Sequence, residues 1–329
     1  MEKELFDHEA FSQVALTAGF NASVHIDAAV LEMFTVENVE HRNVMIVKSG
    51  QQLQVLMPGE IGQNPNIDEH DAESAVPVHL IRYPFDTRIV PSDLTRIASL
   101  RDKKIKAQEL AALVKSHMGK HKDNHRYTAA FTAYSALKGK VKNKKNKVLV
   151  DLHKVLGVEE RKLDLKLGNT GTDVPALLKA LRKQTVDNAK KHGHLTLQGV
   201  ECRIGQEMIE RILTHNSIKE FYSEEIHAKR VVAFADDPSE INICGIKFIA
   251  DEADEVVTKG ASFPVGIKGL FGMLRAPADV LHASSAKARE CHITTKELDH
   301  DEGLEIRSRA IYLPIARDPS LLAEIFSSN

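Results

Sequence analysis

Tyr134-Ser135-Ala136-Leu137-Lys138-Gly139-Lys140-Val141, Lys142-Asn143-Lys144-Lys145-Asn146-Lys147 and Val148-Leu149-Val150-Asp151-Leu152 follow one another without interruption. The first run ends a helical pattern, the second is a basic turn that begins at Lys138, and the third is an apolar strand. Glycine just past a helix, then a polar cluster between two short β-prone runs, predicts a helix stop followed by the tip of a hairpin. Reading back from Leu137, the helical pattern continues without proline to Ser92-Asp93, which offers an N-cap. Unbroken, it would be roughly 65 Å long at ~1.5 Å per residue, more than a compact domain accommodates. Leu110, Leu113, Val114, Met118, Tyr127, Phe131 and Tyr134 form its narrow apolar stripe, and Gly119 offers a kink or break.

Further toward the N-terminus, Asp7 to Ala18 reads as a weak helix in an arm, and Asp27 to Phe34 as a second short helical piece. Val44 to Leu56 alternates as a hairpin about Lys48-Ser49-Gly50. Its first strand is apolar on both faces, Val44 and Ile46 against Met45 and Val47, while Gln51, Gln52 and Gln54 make the return strand with Leu53 and Val55 more polar. A lone hairpin is marginal in water, so a neighbour is expected to cover it. Pro58 to Pro77 is a long Gly/Pro/Asn loop with an acidic cluster at Asp68, Glu69, Asp71 and Glu73. Strand-like Val78 to Val90 leads into the long helix.

Beyond the basic turn the chain alternates. A strand is expected at Leu163 to Leu167, then a helix capped by Thr172-Asp173 with Pro175 near its start and Gly193 as its stop. Strands follow around Leu195 to Cys202 and Ile241 to Phe248, flanking helices near Gln206 to Ile212 and Ser217 to Ile226. Leu304 to Ile315 reads as a late strand and Asp318-Pro319 as the start of a last short helix. The fold class expected is α+β.

The 329 residues are 43% apolar, enough for a sizeable core, with 44 basic against 46 acidic side chains and a formal charge of −2. No bulk attraction to DNA or anionic membrane follows. Aromatics are 5% and tryptophan is absent, which disfavours base stacking on single strands. The acidic start, Met1-Glu2-Lys3-Glu4, lacks a basic n-region and an apolar h-region, and no apolar run approaches ~18 residues, so a cytosolic product outside the membrane is expected. Cys202, Cys244 and Cys291 are widely spaced and indicate neither a disulfide framework nor a zinc knuckle.

Catalytic signatures are missing. His121 and His125 share a helix face, as a zinc pair would, but HKDNH has no glutamate at its second position and no evident third ligand, so a solvated basic face is expected and no metal or other cofactor. Gly266-x-x-Gly269-x-x-Gly272 lies among Ile267, Leu270, Phe271, Met273 and Leu274, as in packed strands rather than a phosphate cradle. Neither G-x-x-x-x-G-K-[ST] nor G-x-S-x-G occurs. Asp251, Glu252, Asp254 and Glu255 read as a solvated acidic loop. Lys142, Lys144, Lys145 and Lys147 suit the phosphates of nucleic acid, or else a tip that is solvated or meets acidic groups of a second copy, with Asp68, Glu69, Asp71, Glu73 or Asp251 to Glu255 as the partners in that last case.

An arm, an uncovered hairpin, an overlong helix and one compact mixed region make a poor monomer and a good building block. From about Val24 onward the chain resembles the phage major capsid protein E family, the lambda-type shell proteins. The resemblance rests on Tyr134 to Val141 with Lys147 to Leu152 and Gly157-Val158, on Phe263-Pro264-Val265-Gly266 with Ala276-Pro277-Ala278-Asp279, and on Gly303 to Ser308 with Leu313-Pro314-Ile315. Arg309-Ala310-Ile311 departs from it, standing where an Asn-Pro pair is usual.

The resemblance implies a Hong Kong 97-type fold and no catalytic residues. It divides the chain into an N-terminal arm (1–40), an extended hairpin loop (41–77), a peripheral domain with the spine helix and basic hairpin (78–163), an axial domain (164–302), and a returning strand with a C-terminal helix (303–329). The expected partners are further copies in hexamers and pentamers, portal and scaffolding proteins, a decoration protein, and packaged double-stranded DNA through non-specific contact, in a virion assembled in the host cytoplasm. An encapsulin-like compartment shares the fold and is the alternative.

Overall fold

The computed structural model describes residues 29–47, 75–90, 92–93, 103–194, 196–222, 226, 240–251, 253, 256, 258–278, 288–298 and 303–328. The expected arm helix at Asp7 to Ala18 and the return strand with Leu53 and Val55 lie outside them.

In chain order, α1 (Ala29–Glu32) precedes β1 (Thr35–Asn38), β2 (Asn43–Val47), β3 (Ala75–His79), β4 (Ile81–Ile89) and the long helix α2 (Lys103–Ala136). The hairpin β5 (Lys140–Lys142) and β6 (Val148–Asp151) follows, then α3 (Leu152–Val155), β7 (Lys162–Asp164) and α4 (Val174–Lys191). The rest comprises β8 (Gly199–Ile204), α5 (Gln206–Thr214), α6 (Asn216–Phe221), β9 (Glu240–Ile243), β10 (Ile246–Ala250), β11 (Gly260–Val265), β12 (Phe271–Arg275), β13 (His292–Glu297), β14 (Leu304–Ala316) and β15 (Ala323–Phe326).

The chain divides into two compact units, one of residues 1–44, 77–130 and 273–314, the other of 45–76, 131–272 and 315–329. In the first unit β14 is the organising strand. It pairs antiparallel with β4 from Leu304↔Ile89 to Tyr312↔Ile81, and with β13 from Glu297↔Leu304 to His292↔Arg309. β12 also borders β14, and β1 lies beyond β12. β14 is buried at nearly every position, so it lacks the alternation of a half-exposed strand.

α2 continues through Gly119 without the break that was one of the two expectations there. A Cβ there would meet nothing within 4 Å, and glycine in a helix costs only about 1 kcal/mol against alanine. Its 34 residues correspond to about 51 Å. Tyr127, placed in the apolar stripe from sequence, is 62% exposed; the buried positions include Val114, Met118, His121, Lys122, His125, Ala129, Thr132 and Ala133. A helix face with so many small and polar buried residues has little hydrophobic periodicity to read.

The second unit is built on a six-stranded sheet of order β7-β15-β11-β8-β10-β9, parallel between β8 and β10 and between β7 and β15. Val200, Cys202 and Ile204 alternate with Gly199, Glu201 and Arg203 along β8, and the first set joins a core with Leu178 and Leu181 of α4, Ile209 and Ile212 of α5, and Ile218 of α6. Asp173 caps α4 by accepting from Ala176 N at 2.9 Å, with Pro175 in the first turn, as the sequence predicts. The expected C-terminal helix is a single 3₁₀ turn, Pro319–Leu321, and the chain then enters the sheet as β15 between β7 and β11. Asp318-Pro319 starts a turn as readily as a helix, and tertiary pairing decides the continuation.

Candidate assembly surfaces

The two-stranded sheet β2-β3 forms a base, and residues 48–74, which join its strands in sequence, lie outside the described residues. Leu80 N donates to Arg42 O at 2.8 Å, and the His79 and Asn43 side chains meet at 2.5 Å, closing the base. Both faces of β2 were expected to need a neighbour, and the structure separates them. Ile46 is 7% exposed and already belongs to the core of its own subunit, whereas Met45 on the opposite face is 57% exposed. Val44 is half-buried. The side chain of Val47, with Leu53, Val55, Asp68, Glu69, Asp71 and Glu73, lies outside the described residues.

At the second hairpin, α2 ends at Ala136 and Gly139 turns the chain with φ +71, donating to Ala136 O at 2.9 Å. A Cβ at Gly139 would come within 2.5 Å of the His153 ring, and its carbonyl accepts from Leu152 N. Gly139 thus joins the helix end, the hairpin and α3, which accounts for glycine between two lysines. β5 and β6 pair antiparallel, and Asn143 Oδ1 accepts from both Lys145 N and Lys147 N at 3.0 Å, so the tip is a defined turn. Lys144, Lys145 and Lys147 are exposed and Lys142 is half-buried. None of the four forms an ion pair among the described residues. Val148 and Leu149 beside them are 41% and 39% exposed, an apolar contribution that sequence inspection assigned only to the strand.

The acidic loop differs from expectation where it is described. Asp251 is not free in solvent: it accepts from Tyr134 OH at 2.6 Å and from Arg203 Nη1 at 3.3 Å, and Arg203 also reaches Glu201. Burial first, then Asp251, pushes the Tyr134 hydroxyl pKa well up, so it stays a donor. Glu252, Asp254 and Glu255 lie outside the described residues.

The largest correction concerns His121 and His125, expected on a solvated face and found 0% and 5% exposed. His121 Nδ1 is 2.7 Å from Ser308 Oγ and its Nε2 is 2.8 Å from Thr87 Oγ1; His125 Nε2 is 2.8 Å from the same Ser308 Oγ. Ser308 donates its hydroxyl proton to Phe85 O at 3.1 Å, so both histidines donate to it. Burial holds both rings neutral, with pKa values down at about 4. Beside them Asp86 and Arg309 form a bidentate ion pair that holds the Asp86 carboxyl below its ordinary value. No group of three or more metal-ligating side chains occurs among the described residues. The cluster fastens α2 to β4 and β14.

The family model described as phage major capsid protein E matches residues 12–327. The major capsid protein of Salmonella phage Felix O1 (isolate Felix O1-VT1) is 22% identical over 233 residues, 60% of this chain and 63% of that relative, so the match spans less than two-thirds of that relative's length. Two solved structures share the fold: the capsid of cyanophage P-SCSP1u, 12% identical with a TM-score of 0.50 over 90% of this chain and 87% of that one, and the mature capsid of bacteriophage PhiM1, 10% identical with a TM-score of 0.51 over 94% and 89%.

Proposed function

The chain belongs to the phage major capsid protein E family, and from that premise we propose that it is the major head protein of a tailed bacteriophage, self-assembling as hexamers and pentamers into an icosahedral shell around double-stranded DNA. The observation that carries this reading is one family match running from residue 12 to 327, through both compact units. The DNA-enclosing shell is preferred to an encapsulin-like compartment because the matched family is that of phage shells. The virion is its place of action, after assembly in the host cytoplasm, with portal, scaffolding and decoration proteins as further partners.

Within the shell, residues 1–40 act as the arm, 41–77 as the extended loop, 78–163 as the peripheral domain, 164–302 as the axial domain, and 303–329 as the returning strand with the terminal segment. The loop reaches a neighbouring copy through Met45, Val47, Leu53 and Val55. The lysine tip meets acidic groups of an adjacent copy, with Asp68, Glu69, Asp71 and Glu73 as its match in charge and number. Contacts of this kind are each worth only about 0.2–1 kcal/mol, but a shell repeats them. Light scattering of the purified chain tests assembly: particles far larger than one subunit are expected, and a stable monomer at high concentration overturns the reading.

A further inference from the structure

One more surface of the second unit is predominantly basic. α4 buries Val174, Leu178, Leu181 and Ala189 and turns Lys179, Arg182, Lys183, Lys190 and Lys191 to solvent, with Asp187 as its one acid. At about 100° per residue, Lys179, Lys183 and Lys190 fall within about 40° of one another and form a ridge about 17 Å long. Arg182, Lys183, Lys190 and Lys191 form no ion pair among the described residues. Lys179 Nζ rests 3.9 Å from the centroid of the exposed Phe221 ring, which holds the ammonium at the surface without neutralising it.

This arrangement has a local cost. Lys179 and Lys183 are like charges one turn apart, which destabilises a helix by a few tenths of a kcal/mol. An exposed helix can avoid that cost with interleaved acids, and α4 has only Asp187, one turn from Lys183 and Lys191, so the excess of cations on this face points to an external anion. Among the described helices of this unit other than α4, a second copy offers Glu207 and Glu210 on α5 and Glu220 on α6 as exposed acids, against five cations. The acidic cluster at Asp68 to Glu73 is the partner proposed above for the lysine tip. A polyanion with regularly spaced charges suits the ridge better than either.

We propose that the outward face of α4 tracks the phosphate backbone of the enclosed double-stranded DNA, an inference that rests on reading the chain as a DNA-enclosing shell subunit. The contact is independent of sequence, since lysine ammoniums meeting phosphates position the duplex without reading bases.

The test compares full-length chain in three states: unassembled, as shells formed without DNA, and as shells formed with a linear duplex. Each is pulsed with an amine-acetylating reagent, and modification of each lysine is read by mass spectrometry. Lys183, Lys190 and Lys191 are expected to react alike in the unassembled chain and in empty shells, and several-fold less in filled shells. Equal reaction in filled and empty shells overturns the proposal. Protection in both kinds of shell also overturns it and assigns the face to a subunit contact. If no shells form, the shell reading fails first and this proposal with it. With Lys183, Lys190 and Lys191 changed to glutamine, the slope of log affinity for duplex DNA against log salt is expected to fall by about 2.7, at about 0.9 per phosphate contact. An unchanged slope overturns the proposal.

Discussion

His121 on α2 and Ser308 on β14 stand 187 residues apart in sequence and meet at 2.7 Å, and the same serine oxygen takes His125 at 2.8 Å. Because the Ser308 proton goes to Phe85 O, the tautomers follow: His121 carries its proton on Nδ1 and His125 on Nε2, and His121 Nε2 accepts from Thr87. Two neutral imidazoles and two hydroxyls therefore join the long helix to both strands beneath it.

The pH dependence follows from this neutrality. Unfolded histidines titrate near 6.5, while His121 and His125 in the fold do so at about 4. Between those values the unfolded state binds more protons, so stability is complete above about 6.5, declines as pH falls toward 4, and levels off below it as far as these groups are concerned. Around them β4 contributes Asp86, β14 contributes Arg307 and Arg309, and α2 contributes His117, Lys122 and Arg126. Melting temperature measured from pH 7.5 to 3.5 should fall across this window, and less steeply after His121→Gln with His125→Gln. An unchanged slope in the double variant would contradict the assignment.

Ser308→Ala tests the same joint at neutral pH. It leaves two imidazole donors facing a methyl group, at about 1–3 kcal/mol for each buried donor left unsatisfied. Denaturant unfolding should show a loss of at least about 2 kcal/mol with no change in net charge. A loss below about 0.5 kcal/mol would mean that the donors find other acceptors.

Gly139→Ala should destabilise the helix stop by about 1–2 kcal/mol through its positive φ alone, with a further cost from the His153 ring. Adding His153→Ala should recover only the second part. A double-mutant cycle measures the coupling, and zero coupling would show that the ring does not confine the glycine.

Where sequence and structure parted, the reason was distance along the chain or chemistry that periodicity misses. The α4 cap at Asp173 and the stop at Gly193 were legible because they are local. The burial of His121 and His125 was not, since both hydroxyl partners come from remote strands and histidine on a charged helix resembles solvated surface. β15 was misread because its strand character comes from pairing with β7 and β11. The lysine tip was placed correctly as a turn, but the exposure of Val148 and Leu149 beside it had no signal in a run that reads as an ordinary strand.

The two faces of β2 make opposite forecasts. Ile46→Asp places a charge in the subunit's own core and should lower its melting temperature, whereas Met45→Asp should leave the melt unchanged and stop assembly. Circular dichroism with sedimentation separates the two effects. Normal shells from Met45→Asp would remove that face from the interface.

Changing Lys142, Lys144, Lys145 and Lys147 to glutamine keeps the turn, because Asn143 is retained, and removes the charge. Shell yield should fall, and wild-type assembly should weaken as salt rises. If empty shells form normally and only DNA retention drops, the tip touches DNA. Normal assembly with normal retention would leave it solvated.

The central claim, that this chain builds a closed shell from copies of itself, is tested most directly by negative-stain electron microscopy of the purified full-length protein. Closed shells, tubes or rings of capsomers are the predicted images. A uniform field of single particles of the size expected for 36.5 kDa, unchanged at high concentration, would contradict it.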